Sequence, residues 1–232
     1  MRGRLLEVLR GFTGAIVNPY DRDELLYRVT RDAVTVLDAA GAGIMLEDRD
    51  GELVFAAASH ELVVDVEQVQ AHIGDGACHE AFVTRKLVVV EDIREEGRWP
   101  EYAARVTGAG LQAVLGVPMT AFGRTIGVIN IYRETPSRWS DEDIEAAEIL
   151  AAMGAGYIVN ASRMRAQHEL QEQLHTAIES RDVIGQAKGI IMAQERVTAD
   201  EAFQRLRSLS QSNNMKLRDV ARRVVDATTS SS

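Results

Sequence analysis

The apolar positions of this chain change period along its length, and the changes mark out its elements. Over residues 21–39 (D-R-D-E-L-L-Y-R-V-T-R-D-A-V-T-V-L-D-A) they recur at helical spacing. Residues 43–46 and 53–57 are strand-like runs on either side of D48-R-D-G51, an Asp-Gly turn sequence, and predict a hairpin. A mixed stretch follows, and then I73-G-D-G76 reads as a glycine turn opening a helix. Residues 87–90 predict a short buried strand; 113–119 and 126–132 predict two more, joined by A121-F-G-R-T125. Ser140 with Asp143 is a capping pattern, so a long helix opens near Asp141. Helices interleaved with hairpin strands predict an α+β domain whose sheet is at least partly antiparallel.

Between Asp141 and Gln194 there is no proline, and one continuous or nearly continuous helix is expected. Leu170, Leu174, Ala177, Arg181, Ile184, Lys188 and Ile191 alternate by four and three along it, a heptad seam. Ile149 and Met153 fit the same frame, but Gly156, Asn160, Arg163 and Gln167 interrupt it. The pattern reads as a short parallel coiled coil or as a solvated helix with one apolar edge. Val183, Ile184, Ala187, Ile190 and Ile191 form a stripe on the last part of this helix. Thr198 and Glu201 make a capping box, so a second helix starts at Ala199 and buries Ala202, Phe203, Leu206 and Leu209. Ser212, Asn213 and Asn214 break it, and a third helix offers Leu217, Val220, Ala221, Val224 and Val225. Such short stripes are buried only against one another, which predicts a three-helix bundle. The chain thus divides into an N-terminal amphipathic helix (1–19), an α+β domain (20–160), a helical linker (161–176) and a helical bundle (177–232).

Charge separates the two ends. Residues 1–160 hold fifteen Lys/Arg against twenty-six Asp/Glu, whereas 177–232 hold nine against seven. A mildly basic bundle behind an acidic domain points to an anionic partner for the bundle. The single Cys78 rules out a disulfide within the chain and fits a reducing cytoplasm. Glu7 and Arg10 interrupt the apolar run at the start, and no uncharged stretch is long enough for a bilayer, so neither signal peptide nor anchor is expected. Leu5, Leu6, Val8, Leu9 and Phe12 suit a helix that packs in a dimer better than one on a membrane surface.

Catalytic chemistry finds no candidate. There is no Cys-x-x-Cys, and the five histidines do not fall at zinc-ligand spacing. His72, Cys78 and His79 are close in sequence, but a buried thiol and helix-end histidines account for them as well as a metal does. Gly74-x-Gly76 lacks the third glycine and the Lys-Ser/Thr of a phosphate loop. Nothing here implies a cofactor.

The run S180-R-D-V-I-G-Q-A-K-G-I-I-M192, the A202-F-Q-R-L-R207 element and the K216-L-R-D-V-A221 ending closely resemble the ANTAR domain, a family of RNA-binding output domains of bacterial transcription antiterminators. The resemblance covers 165–226 in order. It implies binding to RNA hairpins of a nascent transcript, with a homodimer engaging paired hairpins. The cations and the amide in or near the matched run are Arg181, Gln186, Lys188, Arg205, Arg207, Lys216, Arg218 and Arg222. Lys and Arg neutralise phosphates, and Gln186 has the paired donor and acceptor that read a base edge. Exposed helix faces carry charges in any protein, so each residue also has a plain solvation reading. Gly189 reads as a packing site and Phe203 as core.

Over 20–160 the order of elements, the I73-G-D-G76 turn and G110-L-Q-A-V-L-G-V-P-M followed by G123-R-T-I-G-V-I-N-I-Y132 look like a GAF domain. GAF domains are sensory modules with an antiparallel sheet and a ligand pocket on one face. That implies a pocket bordered by the helix after Gly76 and by residues 91–105, with a small-molecule ligand of unknown identity. Cyclic-nucleotide-binding members carry Asn-Lys where Tyr132-Arg133 stands here, and a Phe where Trp139 precedes Asp141-Glu142. These departures argue against cyclic nucleotides. Together the two resemblances imply a cytoplasmic regulator without catalytic activity. Two rivals are a DNA-binding regulator ending in a helix-turn-helix, disfavoured by the polar S-Q-S-N-N break, and a GAF-type methionine sulfoxide reductase, which needs more than one cysteine.

Overall fold

A computed structural model describes residues 1–15 and 22–229. The end of the expected first helix, the start of the second (16–21) and residues 230–232 lie outside the described residues. The chain forms two compact units, Met1–Arg163 and Met164–Ser232.

The first unit is built on β1 (Gly41–Glu47), β2 (Leu53–Ala58), β3 (Val88–Val90), β4 (Ala113–Ala121) and β5 (Arg124–Arg133), in the order β2-β1-β5-β4-β3. Every neighbouring pair is antiparallel. The β1–β2 turn closes because the Asp48 carboxylate accepts from the backbone N–H groups of Asp50 and Glu52, with Gly51 at φ 88°.

Strand alternation divides the core in two. Ile129 and Ile131 of β5 join Ile44, Leu115, Val117 and Met119 on one face, under α1 (Arg2–Ala15), α2 (Arg22–Leu37) and the start of α6 (Asp141–Glu195). Val128 and Tyr132 join Met45, Val88, Val90 and Val114 on the other, under α3 (Glu61–Ile73), α4 (Ala77–Thr84) and α5 (Pro100–Gly108). Helix α6 is long and apolar enough for a bilayer by composition, but Ala146, Ala147, Leu150, Ala151 and Met153 spend that apolarity in the first core. Its start is capped reciprocally: Ser140 Oγ accepts from Asp143 N–H at 3.2 Å, and the Asp143 carboxylate accepts from Ser140 N–H at 3.0 Å.

Several expectations change. The mixed stretch is helix α3, hidden in the sequence because Val63, Val64 and Val66 carry strand propensity. The third strand is only Val88–Val90 and lies at the sheet edge, with Val89 exposed. The apolar edge of α1, expected in a dimer, packs on its own domain: Leu5, Val8, Leu9 and Phe12 lie against the first core, Phe12 at 4.6 Å from the Tyr157 ring.

In the second unit the end of α6 packs with α7 (Ala199–Ser212) and α8 (Leu217–Thr229). Ala187, Ile191, Ala202, Leu206, Val220 and Ala221 are buried, bordered by Val183, Ile184, Leu217, Val224 and Val225. The capping box forms as the sequence predicts, Thr198 Oγ1 accepting from Glu201 N–H and Glu201 accepting from Thr198 N–H. Leu209 is an exception, 45% exposed rather than core, because it falls past the buried arc of α7. Phe203 is half-buried beside the core, its ring 6.0 Å from Lys188 Nζ. The α7–α8 connection is shorter than the S-Q-S-N-N reading, since α7 runs on through Ser212 and only residues 213–216 intervene, with Asn214 at φ 48°. The connection contains no glycine, so it is still not the tight glycine turn of a helix-turn-helix. The heptad seam also splits: Ile184 and Ile191 are used by the bundle, while Leu170 and Leu174 are exposed, together with Ile178.

Candidate functional site

The unusual chemistry of the first unit lies under α3. Cα partners in register are Gly43, Asn130 and Gly116, so one row across β1, β5 and β4 reads Gly-Asn-Gly. The glycines leave room on this face. Into the gap beside Gly43 descends the side chain of Glu67, so close that a Cβ on Gly43 would lie 2.6 Å from Glu67 Cγ. On the other side the backbone of Ala77, at the start of α4, approaches Gly116, where a Cβ would meet the Ala77 carbonyl oxygen at 3.1 Å.

Glu67 is fully buried, and no cation touches it among the described residues. Asn130 Nδ2 donates to both its oxygens (3.0 and 2.9 Å), the Tyr132 hydroxyl donates to Oε1 at 2.9 Å, and Gln70 Nε2 donates to Oε2 at 3.1 Å. Gln70 also accepts from Cys78 N–H at 3.0 Å, tying α3 to α4. The Tyr102 hydroxyl of α5 lies 3.5 Å from that of Tyr132. Burial pushes the Glu67 carboxyl up to about 7, against the pull of its hydrogen bonds from Asn130, Tyr132 and Gln70. Burial first, and the Glu67 charge second, hold Cys78, Tyr102 and Tyr132 well above their ordinary values. Burial thus keeps Cys78 as a neutral thiol.

These side chains fill the space directly beneath the sheet, while a groove of about 580 Å³ lies between α3 and α5, lined by Leu62, Asp65, Val66, Glu101, Ala104 and Arg105. Beside the Glu67 cluster lies a crevice of about 20 Å³ bordered by Glu52, Gln70, Gly74, Cys78 and His79, room for about one water. The two departures from the cyclic-nucleotide pattern have structural roles here. Tyr132 serves Glu67. Arg133 stacks 4.1 Å from the Trp139 ring, pairs with Asp143 at 3.3 Å and donates to the Leu37 carbonyl. Among the described residues no group of three potential metal ligands comes together, at His72, Cys78 and His79 or elsewhere.

Sequence reasoning missed Glu67, Gln70 and Asn130. A signal existed, since Val63, Val66, Glu67 and Gln70 share one helical face and two of the four are polar. Without α3 recognised as a helix, that face had no meaning.

In the second unit all eight residues singled out from the sequence lie outside the buried core. Arg181, Gln186, Arg205, Arg207, Lys216 and Arg222 are exposed, and Lys188 and Arg218 partly so. Arg205 pairs with Glu195, and Arg218 approaches Asp219 at 3.6 Å. Such exposed pairs contribute little to stability. Lys188 sits over the Phe203 ring rather than on a fully open face, so a cation and a half-exposed aromatic stand together.

Comparison with known proteins supplies the class. A model of the GAF domain matches residues 21–158, and a model of the ANTAR domain matches 172–225. The chain belongs to the GAF-domain family, and it carries an ANTAR domain behind the GAF domain. The architecture is that of a GAF sensor joined to an ANTAR RNA-binding antitermination domain. None of the curated proteins matches it. Among solved structures, a domain of a two-component sensor histidine kinase protein from Sinorhizobium meliloti aligns with a TM-score of 0.54 at 22% identity, covering 66% of this chain and 98% of that one. The GAF domain of a phosphoenolpyruvate-protein phosphotransferase from Coxiella burnetii gives 0.56 at 18%, covering 70% and 97%. Free methionine-R-sulfoxide reductase from Neisseria meningitidis gives 0.55 at 19%, covering 69% and 91%. These likenesses establish the fold of the first unit.

Proposed function

We propose that this chain is a signal-responsive antitermination regulator, in which the state of the GAF domain (20–160) controls binding of nascent RNA hairpins by the ANTAR domain (177–232). The observation that carries the reading is the succession of the two family matches on one chain. The charge contrast supports it, since the acidic front domain repels the polyanion that the basic end attracts. Binding would favour an antiterminator structure over a terminator, in the cytoplasm and without catalysis. Cys78, alone and buried, offers no reductase chemistry. The same surface on duplex DNA is the competing reading.

Gel shifts with matched RNA hairpins and duplex DNA separate the two: the RNA should bind at salt concentrations that abolish DNA binding, and the reverse order would overturn the RNA reading. Arg181→Ala and Lys188→Ala should weaken hairpin binding while leaving helix content unchanged, because neither side chain is in the core. Each lost phosphate contact should lower the log–log salt slope by roughly one. Gln186→Ala should relax discrimination between loop sequences more than affinity, by ~1–3 kcal/mol for a bidentate contact.

A homodimer fits the same proposal. Leu170, Leu174 and Ile178 are more than half exposed on α6, and a second copy in parallel would cover them. Leu174→Glu should shift the sedimentation profile toward monomer and reduce binding to paired hairpins more than to a single one. An unchanged dimer would place the interface elsewhere.

A further inference from the structure

We propose that the Glu67 cluster is a proton-binding site that switches the core of the GAF domain between two hydrogen-bonding states. A proton from solvent adds to the Glu67 carboxylate, and the O–H so formed donates to the Asn130 amide oxygen once that amide has turned over. Neither covalent rearrangement nor a redox partner is needed.

The geometry supports both states. In the arrangement described above every group aimed at Glu67 donates, which suits a carboxylate, but no cation balances the charge in a fully buried site. The same arrangement leaves Asn130 Oδ1, itself buried, without a hydrogen-bond partner among the described residues. An orphaned buried acceptor is destabilising. Turning the amide over moves Oδ1 to the carboxyl, where only a protonated Glu67 can satisfy it. The charged state leaves an unbalanced charge that the neutral state removes, and turning the amide gives Oδ1 a donor while carrying Nδ2 to the place beside Gly116 that Oδ1 held. No Cβ flanks Asn130 on either neighbouring strand, where the Glu67 carboxyl and the Ala77 backbone lie instead.

The titratable groups that face Glu67 are Cys78 of α4, Tyr102 of α5 and Tyr132 of β5, all held neutral by burial. On α3 itself the neighbour is Gln70; β1 and β4 present Gly43 and Gly116, and β2 presents the apolar Leu53, Phe55 and Ala58. No fixed charge competes for the proton. Burial raises the carboxyl to about 7, so its titration falls near neutrality. The crevice of about 20 Å³ beside the cluster has room for one water to carry a proton.

That the proton serves as the domain's input rests on the sensor reading above; the protonation itself does not. Because the folded state holds a proton that the unfolded chain releases in the ordinary carboxylate range, the stabilisation is complete below that range. It falls as pH rises and is gone once pH has passed about 7. In that window the unfolding constant of the first unit should rise up to about tenfold per pH unit, and Glu67→Gln should flatten the dependence.

The decisive measurement is infrared difference spectroscopy of the full chain across neutral pH. A protonated-carboxyl band should appear with a midpoint near 7 and vanish in Glu67→Gln. Tyr132→Phe removes a donor to the carboxylate and should move the midpoint up, which keeps the test open should Glu67→Gln fail to fold. A band that titrates in the ordinary carboxylate range, or that survives Glu67→Gln, overturns the site. Hairpin affinity measured in parallel reads the output: a pH profile identical in the parent and Glu67→Gln overturns the input role. Failure to bind any hairpin would count against the ANTAR reading and leave the spectroscopic result standing.

Discussion

Leu206→Ala should melt the C-terminal bundle while the GAF domain keeps its own thermal transition. Leu206 is fully buried at the centre of a very small core, between Ala187 and Ile191 of α6, Ala202 of α7 and Val220 and Ala221 of α8. Truncation removes the largest fully buried side chain of that core and leaves a cavity, a loss of ~2–5 kcal/mol. A unit of this size has only a few kcal/mol to lose. Calorimetry should show the bundle transition lost or displaced far below that of the front domain, and hairpin binding should go with it. Leu209→Ala on the same helix is the comparison: Leu209 is 45% exposed, and its truncation should leave the bundle folded. Equal effects at both positions would mean that the buried arc of α7 is not the one described.

Gly43→Ala should destabilise the GAF domain by ~1–3 kcal/mol or more, as overpacking does. The added Cβ would lie 2.4 Å from Glu67 Oε1, 2.6 Å from Cγ and 2.7 Å from Cδ. Glu67 has nowhere to retreat, since Asn130, Tyr132 and Gln70 hold both oxygens. The methyl therefore either expels the carboxyl or separates α3 from the sheet. Combined with Glu67→Ala the loss should be much smaller than the sum of the two single effects, because truncation empties the space the methyl needs. Denaturant unfolding of the four proteins completes the cycle. Additive losses would show that Gly43 and Glu67 do not meet.

Reading the sequence went furthest where one element carries its own information. The hairpin at Asp48, the Ser140 and Thr198 caps and the stripes of α6 and α8 were legible because turn chemistry, capping and helical periodicity act over a few residues. The ANTAR motif was legible for the same reason, being contiguous. Phe203 and Leu209 were misplaced because a stripe gives the direction of a helix face, while the partner helices decide how wide an arc they cover.

What the tertiary structure alone decided is the meaning of Glu67. In the sequence it is one acidic residue among thirty-five, in a stretch whose valines mask its helix. Gly43, Gly116 and Asn130 are far from it along the chain and from one another, and only the β1–β5 and β4–β5 registers bring them into one row. Local patterns marked the other helices and strands but not α3 or α5, because propensity and capping are short-range and here point elsewhere. The charge state of a carboxyl depends on what surrounds it in three dimensions, and here strand pairing and the descent of α3 onto two glycines set it.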